Sequence, residues 1–184
     1  MKATGLIVEY NPFHNGHLLH LNEAKKQTGA EVIIAVMSGS FLQRGEPALL
    51  PKWERTKMAV DAGIDLVVEL PFYFATQQAA IFANGAVEIL AALGVSSIFF
   101  GSENGDVKSF SNAAGIISGQ SNAFKVAIRR YLDDKRHSYA TAWNLAIHEL
   151  APDLELDLTQ PNNILGFHYA LAALSQQVPI TMQQ

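Results

Sequence analysis

Cysteine is absent from the sequence, and three kinds of chemistry are excluded with it. Among the 184 residues there is no thiol to form a disulfide, to act as a nucleophile or to hold a metal as a thiolate. Long apolar runs are absent too: none reaches the roughly 18 residues of a membrane-spanning helix. Met1 and Lys2 lead into a predicted strand instead of a signal peptide. We therefore expect a cytoplasmic protein with no membrane partner.

Positive charge is also scarce. Lys and Arg number 13 against 17 Asp and Glu, a net charge of −4, so the surface as a whole is not typical of a nucleic-acid-binding protein. One short region concentrates basic residues, although acidic residues interrupt it: Lys125, Arg129, Arg130, Lys135 and Arg136. Such a run is more often a solvated helix face than an RNA contact.

Strands and helices alternate along the first hundred residues. Apolar runs predict strands over 2–8, 31–37, 65–70 and 96–100, with helices over 17–27, 52–63 and 72–93 between them. This alternation indicates a mostly parallel sheet with right-handed crossovers. The fold class is therefore α/β, a Rossmann-like parallel sheet of about five strands in one domain over 1–184.

The second half of the chain is predicted to be mostly helical. Helices are expected over 109–118, 123–132 and 139–150, which makes residues 107–160 a helical insertion ending in an irregular acidic linker. A further helix over 162–174, with Asn162 or Asn163 near its cap, precedes a fifth strand over 178–182.

The segment His14-Asn15-Gly16-His17 stands where the first strand passes into the first helix. Two histidines three residues apart project to one side, beside backbone amides that lack an intrahelical partner. Both features favour an anion, and Gly16 is expected to let the backbone approach a bulky group. Phosphate binds at this position in nucleotide-binding α/β proteins. The tetrad therefore predicts a phosphate site in which His14 and His17 stabilise charge on phosphate oxygens.

Other interpretations of these residues stay open at this point. Two histidines could ligate zinc, although the sequence offers no obvious third ligand.

The long loop after the second strand carries Arg44, and Lys52 follows it, so both cations are expected near the site as phosphate or RNA contacts. Gly101, directly after the fourth strand, is a weaker sign of nucleotide binding.

These motifs together resemble a known family. The tetrad is similar to the HIGH motif of the nucleotidyltransferase superfamily. The wider pattern resembles the tRNA(Met) cytidine acetate ligase family over essentially the whole chain, and it comprises residues 8–17, 38–48, 52–53, 57–59, 69–71, 99–103 and 161–166.

The resemblance implies a two-step reaction on a HIGH-superfamily nucleotidyltransferase fold. Acetate attacks the α-phosphate of ATP, giving acetyl-adenylate and pyrophosphate. The acetyl group then passes to N4 of the wobble cytidine, C34, of elongator tRNA(Met), giving N4-acetylcytidine and AMP. The partners are thus ATP, acetate and elongator tRNA(Met). Mg²⁺ is expected with ATP because it offsets polyphosphate charge, although no carboxylate is identifiable as its ligand.

The resemblance also assigns residues. It assigns catalysis to His14 and His17 and assigns no residue as a metal ligand. ATP contacts fall to Gly101, Asn162 and one continuous segment: Ile7, Val8, Glu9, Tyr10, Asn11, Pro12, Phe13, His14, Asn15, Gly16, His17, Leu18, Leu19 and His20. The family carries a second signature and a further C-terminal region after the fifth strand. We therefore expect this chain to be an N-terminal portion, and its turnover by itself to be in question.

Two alternatives to the acetate ligase hypothesis remain. One is a nucleotidyltransferase that moves an adenylyl or cytidylyl group to a small phosphorylated metabolite and ignores acetate and tRNA. The other is a truncated, non-catalytic nucleotide-binding module.

Overall fold

The computed structural model describes residues 1–103, 106–134, 136–152, 154, 156–177 and 181–183. Its centre is a sheet of five parallel strands in the order β3-β2-β1-β4-β5. The strands are β1 (Ala3–Val8), β2 (Val32–Ser38), β3 (Leu66–Leu70), β4 (Ser97–Phe99) and β5 (Thr181–Gln183). The predicted parallel sheet is confirmed. Of the predicted fifth strand, residues 178–180 lie outside the described residues.

The strand order reverses between β1 and β4, and this determines where a ligand cleft can form. β1 pairs with β2 from Ala3 opposite Val32 to Val8 opposite Met37, and with β4 from Thr4 opposite Ser97. From β1 the chain crosses over to β2 on one side, and from β4 it continues to β5 on the other side. In such sheets the carboxyl ends of the two strands diverge into a crevice.

Helices cover both faces of the sheet. They are α1 (Asn15–Thr28), α2 (Lys52–Asp61), α3 (Phe72–Ala75), α4 (Ala79–Ala92), α5 (Val107–Gly119), α6 (Ser121–Asp133), α7 (Tyr139–Leu150) and α8 (Pro161–Ser175). Within the described ranges, no helix is both long and apolar enough to cross a membrane. The interpretation of residues 107–160 as an insertion stays a prediction.

Alternate residues of the strands belong to two separate cores. On β2, Ile33 and Ala35 pack with α1 and α2, whereas Ile34 and Val36 pack with α4, α5 and α8. Successive side chains of a strand point to opposite faces of the sheet. A strand buried on both faces therefore reads as an uninterrupted apolar run, which is why the sequence indicated the sheet clearly.

The helix predicted over 72–93 is wrong, because the structure has two helices there. The amide and the hydroxyl of Thr76 both donate to the Phe72 carbonyl, at 3.3 and 3.1 Å, and close α3 after one turn. The chain then turns back so that the Phe74 ring packs on Gly85 of α4, where an added Cβ would lie 2.4 Å from Phe74 Cγ. Phe74 can pack on Gly85 only because the helix is interrupted between α3 and α4.

Close packing of α8 gives a test of the fold. An added Cβ at Gly166 would lie 2.4 Å from Phe100 Cε2 and 2.9 Å from Phe110 Cε1. Gly166→Ala should therefore lower the free energy of unfolding by about 1–3 kcal/mol through overpacking. Urea denaturation measures this change.

Gly115 provides the matched control for that measurement. It lies inside α5, and a Cβ added there meets nothing within 4 Å. Gly115→Ala should raise stability by about 0.5–1 kcal/mol because alanine has the higher helix propensity. A similar gain from Gly166→Ala would contradict the packing described for α8.

Candidate functional site

A cleft of about 480 Å³ opens at the carboxyl ends of β1 and β4, where the strand order reverses. Residues from all the surrounding elements line it: Ile7, Val8, Glu9, His14, Gly16, His17, His20, Gln43, Phe82, Phe100, Gly101, Asn162, Leu165 and Tyr169. The fold thus places the tetrad, the residue after β4 and the start of α8 around one space.

Part of the predicted ATP-binding set lines the cleft: Ile7, Val8, Glu9, His14, Gly16, His17, His20, Gly101 and Asn162. The others belong to the same junction but do not line the cleft, namely Tyr10, Asn11, Pro12, Phe13, Asn15, Leu18 and Leu19. The assignment of nucleotide contacts to the whole set stays a prediction. Sequence reasoning missed Gln43, Phe82, Phe100, Leu165 and Tyr169.

The two tetrad histidines cap the helix that carries them. His14 is the N-cap of α1, and its Nδ1 accepts a hydrogen bond from the Gly16 amide at 3.0 Å. His17 Nδ1 accepts from the His14 amide at 3.2 Å, and the rings stack with centroids 3.7 Å apart. An imidazole nitrogen that accepts carries no proton, so the proton of each neutral ring is on Nε2. Each ring therefore keeps an Nε2–H free of the cap.

This arrangement corrects two expectations. The helix was predicted from residue 17, but the capping histidine allows α1 to begin at Asn15. The first-turn amides were expected to lack an intrahelical partner, but those of Gly16 and His17 bond to His14 Nδ1 and to the His14 carbonyl. A Cβ at Gly16 would lie 2.9 Å from His14 Cε1, so this glycine makes room for the His14 ring. The donors that this turn can offer an anion are chiefly imidazole Nε2–H groups.

Burial keeps the inner histidines neutral. The pKa of His17 is lowered to about 4, first by burial and then by the charges of His14 and His20. Burial also lowers the pKa of His20, whose ring lies 5.0 Å from Phe99. His20 Nε2 is buried without a hydrogen-bond partner in the described part of the chain. Near neutral pH the cleft therefore holds neutral imidazoles that can donate to a ligand oxygen.

Arg55, which the sequence analysis missed, does not line the cleft but holds the backbone beside it. Its side chain is fully buried, and Nη1 donates to the Glu9 carbonyl at 2.6 Å. Its Nη2 donates to the carbonyls of Ser38, at 3.1 Å, and Gly39, and its Nε donates to the Leu50 carbonyl at 3.1 Å. Burial lowers the pKa of Arg55, and the charges of Glu9 and Glu69 oppose this shift. One guanidinium thus joins the ends of β1 and β2 to the loop that follows.

Glu9 continues this connection into the cleft. Its Oε1 accepts hydrogen bonds from the Gln43 amide at 2.7 Å and from Ser38 Oγ at 3.3 Å. Leu42, next to Gln43, is buried. These contacts fix the part of the long loop that carries Gln43 to the edge of the cleft.

The cations expected near the site have other positions. Lys52 Nζ lies 2.5 Å from Glu69 Oε2, so its charge is balanced locally. Arg44 is exposed and, like Lys52, does not line the cleft. In the basic cluster Arg130 pairs with Glu149 and Arg136 with Asp134, and Lys135 lies outside the described residues. Contacts of these cations with phosphate or RNA stay predictions.

The far wall of the cleft is fixed by Glu103. Its two carboxylate oxygens accept from the amides of Asn162 and Asn163, at 3.1 and 3.0 Å, and the Glu103 amide donates to Asn163 Oδ1 at 3.2 Å. Asn162 and Asn163 lie in the first turn of α8, near its cap as expected, although neither of them is the N-cap. Gln160 is the N-cap, but its side chain makes no capping bond. The carboxylate that caps the helix is that of Glu103.

No third metal ligand accompanies the histidines in the part of the chain that the structure describes. There, no three His, Asp or Glu side chains come together as a metal site. The zinc alternative thus gains no support from the arrangement of the cleft.

Replacing Arg55 tests its role in holding the backbone beside the cleft. Arg55→Met leaves four buried or half-buried carbonyl oxygens without their donor. It should lower the free energy of unfolding by about 3 kcal/mol or more. Arg44→Met, an exposed matched control, should change it by less than about 0.5 kcal/mol. Equal effects of the two substitutions in urea denaturation would contradict the role given to Arg55.

The protonation state of His17 gives a second test. Nitrogen chemical shifts should show His17 protonated on Nε2 at neutral pH and titrating near pH 4. Because this pKa lies below the value of about 6.5 in the unfolded chain, the unfolded state binds more protons between the two values. The contribution of His17 to stability is therefore complete above about pH 6.5 and is lost as the pH falls toward 4. A proton on Nδ1 would contradict the capping arrangement.

Comparison with known proteins agrees with this geometry. A family model described as HIGH Nucleotidyl Transferase matches residues 1–184. The tRNA(Met) cytidine acetate ligase of Listeria monocytogenes serotype 4b (strain F2365) is 59% identical over 183 residues, which is 100% of this chain and 47% of that protein. The protein of the same name from Bacillus subtilis (strain 168) is 51% identical, over 98% of this chain and 43% of its own length.

A solved structure shows the same fold. Thermotoga maritima TmcAL bound with alpha-thio ATP superposes with a TM-score of 0.92 at 40% identity, over 100% of this chain and 46% of that chain. The present chain thus spans a little less than half the length of these relatives. The resemblance seen in the sequence is confirmed, and the chain belongs to the HIGH nucleotidyl transferase family.

Proposed function

We propose that this chain forms the ATP-binding, acetate-activating part of a tRNA(Met) cytidine acetate ligase. The observation that carries the proposal is the pair of stacked imidazoles at the cleft between β1 and β4, with Nδ1 used for capping and Nε2–H available. The names of the relatives and the ATP analogue bound to the Thermotoga protein support the same assignment.

The first step is adenylation of acetate. An acetate oxygen attacks the α-phosphorus of ATP, a new P–O bond forms, and the bond to the β-phosphate oxygen breaks to release pyrophosphate. His14 and His17 donate their Nε2–H to α-phosphate oxygens and stabilise the charge that builds there. Because neither ring gives up a proton or bonds to phosphorus, no covalent enzyme intermediate is required. Mg²⁺ is expected to enter with ATP.

The second step transfers the acetyl group to RNA. N4 of cytidine 34 in elongator tRNA(Met) attacks the carbonyl carbon of acetyl-adenylate and loses a proton, and AMP leaves. Gly101 and Asn162, which both line the cleft, are assigned to the nucleotide. We expect this reaction to take place in the cytoplasm.

ATP binding measured by calorimetry tests the phosphate site. His14→Asn keeps a short side-chain acceptor for the Gly16 amide, because asparagine is a good N-cap, but removes the Nε2–H. We expect it to bind ATP at least tenfold more weakly, the loss of about one hydrogen bond to a charged group, with little change in stability. The His14→Ala/His17→Ala double variant should lose saturable binding.

His137→Asn is the matched control, because His137 does not line the cleft. This variant should bind ATP as the wild type does. Equal ATP affinity of wild type and double variant would contradict the assignment of the phosphate site.

Dependence on acetate distinguishes the possible reactions. Pyrophosphate release from ATP should require acetate, and tRNA(Met) should then become acetylated. Release that requires a phosphorylated metabolite instead would support nucleotidyl transfer. ATP binding without any release would support the non-catalytic module for these 184 residues.

A further inference from the structure

A second cavity lies against a different face of α8 from the cleft. It measures about 670 Å³ and lies between α7, α8, the start of α4 and residues 158–159. The cleft uses Asn162, Leu165 and Tyr169 of α8, whereas this cavity uses Ile164 and His168. The two spaces share no lining residue, and the reaction proposed above makes no use of the second one.

One wall of the cavity is aromatic. The half-buried Trp143 ring lies 5.4 Å from the His168 ring at an interplanar angle of 37°. Phe124 and Phe167 contact Trp143 edge-on, with centroids at 5.9 and 5.3 Å, and hold it in place. A fixed indole in the wall of a cavity suits stacking with a planar ring.

The cavity also carries an unsatisfied acceptor. Asn144 lines it, and Asn144 Oδ1 is buried without a hydrogen-bond partner among the described residues. Buried polar atoms are rarely left in this state. Because the oxygen is shielded from solvent, the Asn144 amide has to rotate to present it to an N–H or O–H donor in the cavity. The amide presents an acceptor beside a donor, the complement of the paired groups on a base edge. Burial lowers the pKa of His168 to about 4, so this ring is neutral and can also donate or accept.

Positive charge lies at one end of the cavity. An adjoining groove of about 380 Å³ shares Ala80 and His168 with it and extends to Lys125 of α6. Arg129, one turn further along α6, is exposed. No ion pair of either cation is found among the described side chains, whereas their neighbour Arg130 pairs with Glu149. An unpaired lysine in the adjoining groove, with a second unpaired cation one helical turn away, suits a phosphodiester backbone.

We propose that this cavity binds an unstacked base of single-stranded RNA. The base stacks on Trp143 and donates to Asn144 Oδ1, and the neighbouring phosphates lie at Lys125 and Arg129. The proposal extends the proposed function, from which the RNA is taken. The acetylated cytidine has to reach the cleft, which shares no lining residue with this cavity, so the base bound here is a different nucleotide of that RNA.

Tryptophan fluorescence tests the cavity directly, because the chain has only two tryptophans. Trp53 is 73% exposed on α2 and does not line either space. Trp53→Phe leaves Trp143 as the sole indole. A single-stranded RNA of about eight nucleotides should quench it saturably. The RNA should bind at least tenfold more tightly than nucleoside 5′-monophosphates, since only the RNA also contacts Lys125 and Arg129.

Three further substitutions in the Trp53→Phe background give the controls. Asn144→Leu should raise the unfolding temperature, because it removes an unsatisfied buried oxygen, yet weaken RNA binding about tenfold or more. These opposite effects separate loss of the site from loss of the fold. Lys125→Glu should weaken RNA binding and reduce its salt dependence. His14→Asn, which alters the cleft, should leave the quenching unchanged.

Several outcomes would overturn the proposal. Any one of three results would contradict the proposed site: RNA does not quench the Trp143 fluorescence, Asn144→Leu binds RNA as tightly as its parent, or His14→Asn loses the quenching. Equal affinity for RNA and mononucleotide would mean a site for a free nucleotide and would overturn the RNA assignment. ATP binding at the cleft has its own calorimetric readout, so either proposal can fail while the other holds.

Discussion

The geometry of the cleft depends on the buried guanidinium of Arg55. Backbone carbonyl oxygens at and just beyond the carboxyl ends of β1 and β2 need donors, because a buried carbonyl without a donor is costly. Arg55 supplies donors to the Glu9, Ser38 and Gly39 carbonyls from one rigid fork. Because a guanidinium is planar and always charged, it fixes these oxygens at defined relative positions. The Glu9 carboxylate in turn accepts a hydrogen bond from the Gln43 amide and so holds the loop that carries Gln43.

The tetrad combines local structure and chemistry in the same atoms. One nitrogen of each ring completes the first turn of α1, and the other is left for a ligand. Preorganised donors of this kind need no reorientation as charge develops on a phosphate. The burial that keeps His17 neutral also keeps its capping bond intact, since a protonated Nδ1 could not accept.

The sheet was predictable from the sequence, whereas much of the site architecture was not. Strands buried on both faces leave apolar runs that can be read locally, and the tetrad stood out by its position. Histidine is not among the preferred N-cap residues, so the start of α1 was misplaced. Arg55 stands among charged residues of a helix and looks solvent-exposed until its carbonyl partners, up to 46 residues away, are known. Phe82 and Tyr169 lie in apolar stretches of the sequence that predict core packing and no contact with a ligand. The Glu103 cap joins residues 59 positions apart.

The bonds between Glu103 and the first turn of α8 have a consequence for binding energetics. They connect the segment after β4 to the helix that forms the far wall, and Asn163 extends the connection to the Asp157 carbonyl. Two walls of the cleft are thereby joined without any contribution from a ligand. A nucleotide entering such a space loses less free energy to ordering its surroundings, so more of its contact energy appears as affinity. The carboxylate also occupies the positive end of α8. Under the proposed function, this negative charge disfavours a polyphosphate at the helix terminus and leaves the histidines as its donors.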